Sequence, residues 1–113
     1  MTRIYEDLNG VRVNAITTLS DGTDVEGHQY QVLAGSKIQD VDFQMGPVKE
    51  NGVNGVTNEA LLAIIIHRTK YLNEKFPCRE NSIAITKMQE ALHWFDHRTK
   101  DRIDRGVEGV NIK

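Results

Sequence analysis

Gly46–Ala60 reads GPVKENGVNGVTNEA, and its reading decides the fold. The stretch holds three glycines, a proline and three asparagines, and it runs directly into a strongly apolar segment. It is too irregular for a strand, and its glycines are too dense for a regular helix. The chain before it reads as strand and turn, and the chain after it as two long helices. Such a loop is either a plain connector or a place where backbone approaches a ligand closely. It is not a P-loop, because Lys49 stands before the second glycine and no Gly-Lys-Ser/Thr comes after it. It does lead to a helix N-terminus with free amides, a generic place for an anion.

Upstream, Val11–Thr18 (VRVNAITT) alternates apolar and polar residues. Asp21-Gly22 marks a turn, and the acidic run to Gly27 implies a loop longer than a tight hairpin. His28–Leu33 resumes the strand, with Tyr30 and Val32 on one face. After Gly35-Ser36, the stretch from Ile38 to Met45 places Val41, Phe43 and Met45 at period two. Three antiparallel strands are the simplest outcome, and their apolar face needs a cover.

Downstream, Thr57 is a good N-cap, with Val56 and Leu61 at hydrophobic-staple positions and Glu59 in the first turn. The helix runs through Leu61, Leu62, Ile64, Ile65 and Ile66 to Leu72 and should stop near Phe76-Pro77. It is apolar around much of its circumference, which implies burial on more than one side and a second subunit against one of them. Asn81 or Ser82 is expected to cap the second helix. Ile85, Met88, Leu92 and Phe95 form its stripe, which continues to Ile103, and Gly106 is a natural C-cap before the irregular tail GVEGVNIK. The short FPCREN linker implies an antiparallel hairpin. The expected architecture is α+β, a single domain of 113 residues: a small antiparallel sheet over 1–45, the Gly/Asn loop over 46–56, a two-helix hairpin over 57–105 and a tail over 106–113, assembled as an oligomer.

Composition narrows the function. Charged residues are 27%, hydrophobic ones 39%, and the formal net charge is −2, so bulk attraction to nucleic acid is not indicated. One cysteine, Cys78, excludes an internal disulfide and suits a reducing cytosol, where it is expected as a half-buried thiol. No apolar run reaches the roughly 20 residues of a membrane span, and MTRIYEDLNG has no signal-peptide core, so a cytoplasmic protein without a membrane partner is expected.

The chemistry-bearing residues gather on the helices. Arg98 and Arg102 are four apart and share a face, continued by Arg105. Like charges at that spacing repel, and a bound phosphate would reverse the sign. The plainer alternative is a helix C-terminus that favours cations, with Asp101 and Asp104 as local partners. Tyr71, on the side of Ile64 and His67, either packs in the core or offers a flat face to a nucleobase. Asn81 either caps the second helix or reads a base edge with its amide. Trp94 lies off the stripe and is expected to pack against the sheet or a second subunit. His93 and His97 have helical metal-ligand spacing with Asp96 nearby, but no clear third ligand, so no metal and no cofactor are expected. His28 and His67 are expected at the surface or a pocket edge. No paired carboxylates, serine motif or activated cysteine give an enzyme signal.

The runs FQMGPVKENGVNGVTNEALLAIIIHR (Phe43–Arg68), PCREN (Pro77–Asn81) and ALHWFDHRTKDRIDRGVEG (Ala91–Gly109) resemble the phage Thoeris anti-defence sponges of the Tad type. The related anti-CBASS (Acb-type) sponges share the helical hairpin. The likeness covers the carboxy-terminal two-thirds, with these motifs in matching order and spacing. It implies a non-enzymatic protein that sequesters a host immune signal, for the Tad type the glycocyclic ADP-ribose made by a TIR-domain enzyme. It also implies separate sites for cyclic di- or trinucleotides in some members. Pockets between subunits of a dimer are implied too, or of a trimer of dimers. By the resemblance, Tyr71 and Asn81 surround the base, Arg98 and Arg102 hold the phosphates, and Thr99 joins them in the RT…RGVEG ending. The family's aromatic is often phenylalanine, and the hydroxyl of Tyr71 bears on which ligand fits. Asn51 and Asn54 are expected to hold the loop's shape and secondarily to touch ligand. Two other classes compete: an enzyme opening a cyclic nucleotide with His97 or His67 as acid or base, and a nucleic-acid-binding module using Arg98, Arg102 and Arg105.

Overall fold

A computed structural model describes residues 1–106; the tail beyond Gly106, including the Val107–Gly109 part of the RGVEG ending, lies outside the described residues. The chain divides into two compact units. One comprises Met1–Met45 with Val53–Val56, the other Gly46–Gly52 with the chain from Thr57 onward.

The first unit is a four-stranded antiparallel meander in the order β1-β2-β3-β4: β1 (Thr2–Glu6), β2 (Arg12–Thr18), β3 (Asp24–Ala34) and β4 (Lys37–Asp42). The three strands expected are β2, β3 and β4, and β1 is an addition. All five of its residues are exposed, and its pairing with β2 is irregular between Arg3 and Tyr5. An edge strand without a buried face shows no apolar alternation for the sequence to reveal. The Asp7–Gly10 turn joins it to β2: Asp7 Oδ1 accepts from the N–H groups of Asn9 (2.8 Å) and Val11 (3.0 Å).

The acidic segment also differs from expectation. β3 begins at Asp24, so the β2–β3 connection is short, closed by the Leu19 N–H to the Thr23 carbonyl at 2.9 Å. Asp21 Oδ1 accepts from Thr23 Oγ1 at 2.6 Å and from the Thr23 N–H at 2.9 Å, and these bonds hold its carboxyl below the usual range. Gly27 stands within the strand at φ +82°, where the pairing passes from Gln29↔Ile16 to Asp24↔Thr18. The extra β3 residues bulge out, and glycine carries the positive φ that the bulge needs. Val25, in this bulged segment, is 1% exposed, the deepest apolar side chain among the described residues.

The Gly46–Ala60 stretch is more structured than its composition suggests. Gly46–Gly52 contains one helical turn, α1 (Val48–Asn51), in which Asn51 Nδ2 donates to the Pro47 carbonyl (3.2 Å). Val53–Val56 returns alongside the end of β4. There the Val56 N–H donates to the Asp42 carbonyl and the Gln44 N–H to the Val56 carbonyl, both at 2.9 Å. That pattern makes a parallel bridge between Phe43 and Val56. Asn54 completes it as a surrogate backbone: its Oδ1 accepts from the Met45 N–H and its Nδ2 donates to the Met45 carbonyl, both at 2.8 Å.

The second unit is built on α2 (Asn58–Lys75) and α3 (Arg79–Asp104). Thr57 caps α2 as expected, its side chain accepting from the Ala60 N–H at 3.1 Å. α3 starts earlier than expected: Cys78 is its N-cap, and Asn81 and Ser82 lie inside the helix. Cys78 is exposed, not half-buried. Ile66 is 7% exposed, whereas Ile64 and Ile65 on the same apolar helix remain exposed. Among the described residues, no helix is long and apolar enough to cross a membrane.

Gly55 is where the loop passes closest to another stretch of backbone. A Cβ there would meet the Phe43 carbonyl and stand 2.7 Å from the Asp42 oxygen. Gly55→Ala should therefore destabilise the protein by about 1–3 kcal/mol through forced displacement of β4. Asn54→Ala should cost about 1 kcal/mol by removing an exposed pair of hydrogen bonds. Urea denaturation at fixed protein concentration checks both, and an unchanged Gly55→Ala midpoint would contradict the close approach.

Candidate functional site

The hairpin turn is closed by one side-chain amide. Asn73 Oδ1 accepts from the Cys78 N–H at 3.0 Å, while its Nδ2 donates to Ser82 Oγ at 3.2 Å. Ser82 Oγ in turn donates to the Cys78 carbonyl at 3.3 Å, and Cys78 Sγ accepts from the Asn81 N–H at 3.4 Å. Three residues, Phe76 to Cys78, are enough to reverse the chain because Asn73 ties the last turn of α2 to the first of α3.

This turn sorts the expected ligand-binding residues into two groups. Tyr71 and Asn81 lie near it. Tyr71 is 53% exposed, outside the half-buried stripe of Leu62, Thr69, Leu72 and Asn73, so the core alternative is set aside. Lys75 Nζ stands 5.2 Å from its ring centroid. Asn81 is half-buried, and its side-chain amide makes no hydrogen bond with another described residue. Since Cys78 supplies the cap, the amide of Asn81 is free of that duty.

Arg98, Thr99 and Arg102 form the other group. Seventeen residues separate Asn81 from Arg98, which at 1.5 Å per residue is about 25 Å along α3. α3 is 26 residues long and α2 only 18, so the arginines sit at the open end of the hairpin, away from the turn. Arg98 is exposed, and Thr99 is half-buried. Arg102 is 8% exposed, the buried charged side chain among the described residues. Arg105 pairs with Asp101 at 3.4 Å.

Asn51 and Asn54 are anchored by the loop bonds described above, Asn51 in the hairpin's unit and Asn54 in the sheet's unit. An open cleft of about 320 Å³ between α2 and α3 is lined by Lys70, Asn73, Glu74, Ser82 and Ile85. Neither Tyr71 nor the arginines line it, so it does not coincide with either group.

Trp94 is 66% exposed and lies edge-on to His93 (5.7 Å) and His97 (5.8 Å). The His93 and His97 rings stack at 6.4 Å, and among the described residues no three His, Cys, Asp or Glu side chains come together to hold a metal ion. His67 is exposed and His28 half-buried. Lys75 is a neighbour of Tyr71 that the sequence reading did not single out. Its i, i+4 spacing from Tyr71 was the available signal.

Residues 36–100 match the family model described as Acb2/Tad1, hairpin domain. A protein of Bacillus phage SBSphiJ7 named "Thoeris anti-defense 1" is 54% identical over 78 residues. That alignment covers 68% of this chain and 55% of the relative, so the chain spans about half the length of the curated relative it matches. The family match takes in the end of the meander, the Gly/Asn loop, α2 and most of α3, including the turn that Asn73 closes. The chain belongs to the Acb2/Tad1 hairpin-domain family.

Proposed function

We propose that this protein counters host defence by binding and sequestering glycocyclic ADP-ribose without degrading it, as a homo-oligomer with ligand sites shared between subunits. Cyclic di- or trinucleotides are a second ligand class, held at separate sites. The name of the 54%-identical phage relative supports the anti-defence role. Tyr71 supplies a stacking face, Asn81 an amide that donates and accepts, and Arg98, Thr99 and Arg102 the partners for a pyrophosphate. Asn51 and Asn54 hold the loop whose backbone borders the ligand. Sequestration needs a well-formed site and no general base, acid or nucleophile.

The shared-site reading rests on the placement of Asn81 and Arg98 on one continuous helix, about 25 Å apart at 1.5 Å per residue. A cyclic ADP-ribose is far smaller than that, so one hairpin cannot bring both groups to one ligand. Two hairpins side by side in opposite directions can, with the turn of one beside the open end of the other. The exposed Ile64, Ile65 and Trp94 are the apolar surface that such an assembly would cover.

Subunit mixing tests this directly. Asn81→Ala and Arg98→Ala homo-oligomers should each bind weakly. Each lost charged or buried bond is worth about 1.5–3 kcal/mol. Mixed and re-equilibrated, they should regain sites of wild-type affinity, because a mixed pair carries one intact site and one doubly altered site. Absence of recovery would mean that each site draws both residues from one subunit, and would overturn the shared site. Denaturing the wild-type complex should release chemically unchanged ligand, and a converted product would replace sequestration with catalysis.

The two arginines should also separate in stability. Arg102→Ala removes a buried stem and should cost about 1–3 kcal/mol, whereas Arg98→Ala should stay within about 0.5 kcal/mol of wild type. Urea denaturation of the ligand-free proteins measures the difference.

A further inference from the structure

The ring offered by Tyr71 is not bare. Lys75, one helical turn further along α2, places its ammonium 5.2 Å from the ring centroid, within the range of a cation–π contact. Both residues lie outside the helix's half-buried stripe, and Lys75 makes no ion pair with another described residue. The ammonium therefore stands at the aromatic face with no carboxylate of the described residues paired to it. A base stacked on Tyr71 belongs, in a cyclic ADP-ribose, to a small macrocycle that also contains two phosphates. A base stacked on Tyr71 would carry its phosphates past the turn end of α2, where the Lys75 ammonium can pivot towards them on a four-carbon stem.

We propose that Lys75 is a further ligand-binding residue, pairing its ammonium with the anionic group of a nucleotide whose base stacks on Tyr71. The inference rests on the function proposed above and extends it to a residue at the turn end of the hairpin. It makes Tyr71 and Lys75 a two-part recognition element: the flat face selects a base, and the cation selects a base that carries phosphate close by. A plainer role for Lys75 would be a cation favoured at the α2 C-terminus, which would bear on stability and leave affinity untouched.

Calorimetry with glycocyclic ADP-ribose separates the two. Lys75→Met should weaken binding about tenfold at low ionic strength, and the difference from wild type should shrink as salt is raised. Lys75→Arg should keep most of the affinity, since a guanidinium both stacks on the ring and pairs with phosphate. Lys37→Met, which removes a charge on β4, should leave affinity within about twofold of wild type. Unchanged binding by Lys75→Met, with or without a lowered melting temperature, overturns the proposal. Tighter binding does so too, because the ammonium would then be a competitor for the ring. An equal loss in Lys37→Met overturns it by reducing the effect to net charge. A wild-type protein that does not bind would sink the proposed function and this inference together, whereas wild-type binding with an indifferent Lys75→Met sinks the inference alone.

Discussion

The reversal between α2 and α3 depends on the amide of Asn73. It accepts from the Cys78 backbone and donates to Ser82, so the last turn of one helix and the first of the next are held by one residue. Because the connection is only three residues long, α2 and α3 run back along each other. Every residue's distance from the turn is then set by its position in sequence. Tyr71 and Asn81 are fixed near the turn, Arg98 and Arg102 far from it. The proposed ligand chemistry is thereby split between the two ends of each hairpin. That split is what makes a second copy of the chain necessary to the proposed site.

The glycine-rich segment before α2 does two structural jobs. Val53–Val56 extends the sheet beside β4, with Asn54 imitating a paired strand residue and Gly55 allowing the approach to Phe43. Gly46–Gly52 folds into a single helical turn belonging to the hairpin's unit. A segment without Gly55 could not pass so close to a strand, and Asn54 supplies to the Met45 backbone the partners that water would otherwise provide. Its unusual composition is thus largely explained by its own fold.

The parts of the fold legible in the sequence are those with a repeating physical signal. α2 and α3 are readable because apolar side chains recur at helical spacing, and Thr57 because a hydroxyl before such a run is a strong cap. β2, β3 and β4 are readable from alternation and from the Gly35-Ser36 turn. β1 is not, since none of its residues is buried and no alternation is imposed on it. Residue type misplaces the α3 cap because a thiol is a weak acceptor, and the amide of Asn81 looks better by type. Gly27 reads as the end of a loop when it is a bulge inside a strand. A positive φ serves both, and only the pairing partner distinguishes them.

The sequence by itself determined the α+β class and the helical hairpin, and it supplied the aromatic, the amide and the two arginines on which the proposed site is built. Those features are local: periodicity, capping and side-chain chemistry act within a few residues. Only the tertiary structure decided that Asn81 is free of capping and that Arg102 is buried while Arg98 is exposed. These depend on where one helix's side chains fall against its neighbour and against each other in space. Residue type and spacing leave that undetermined, because the same face of a helix can be covered or left open by what packs against it.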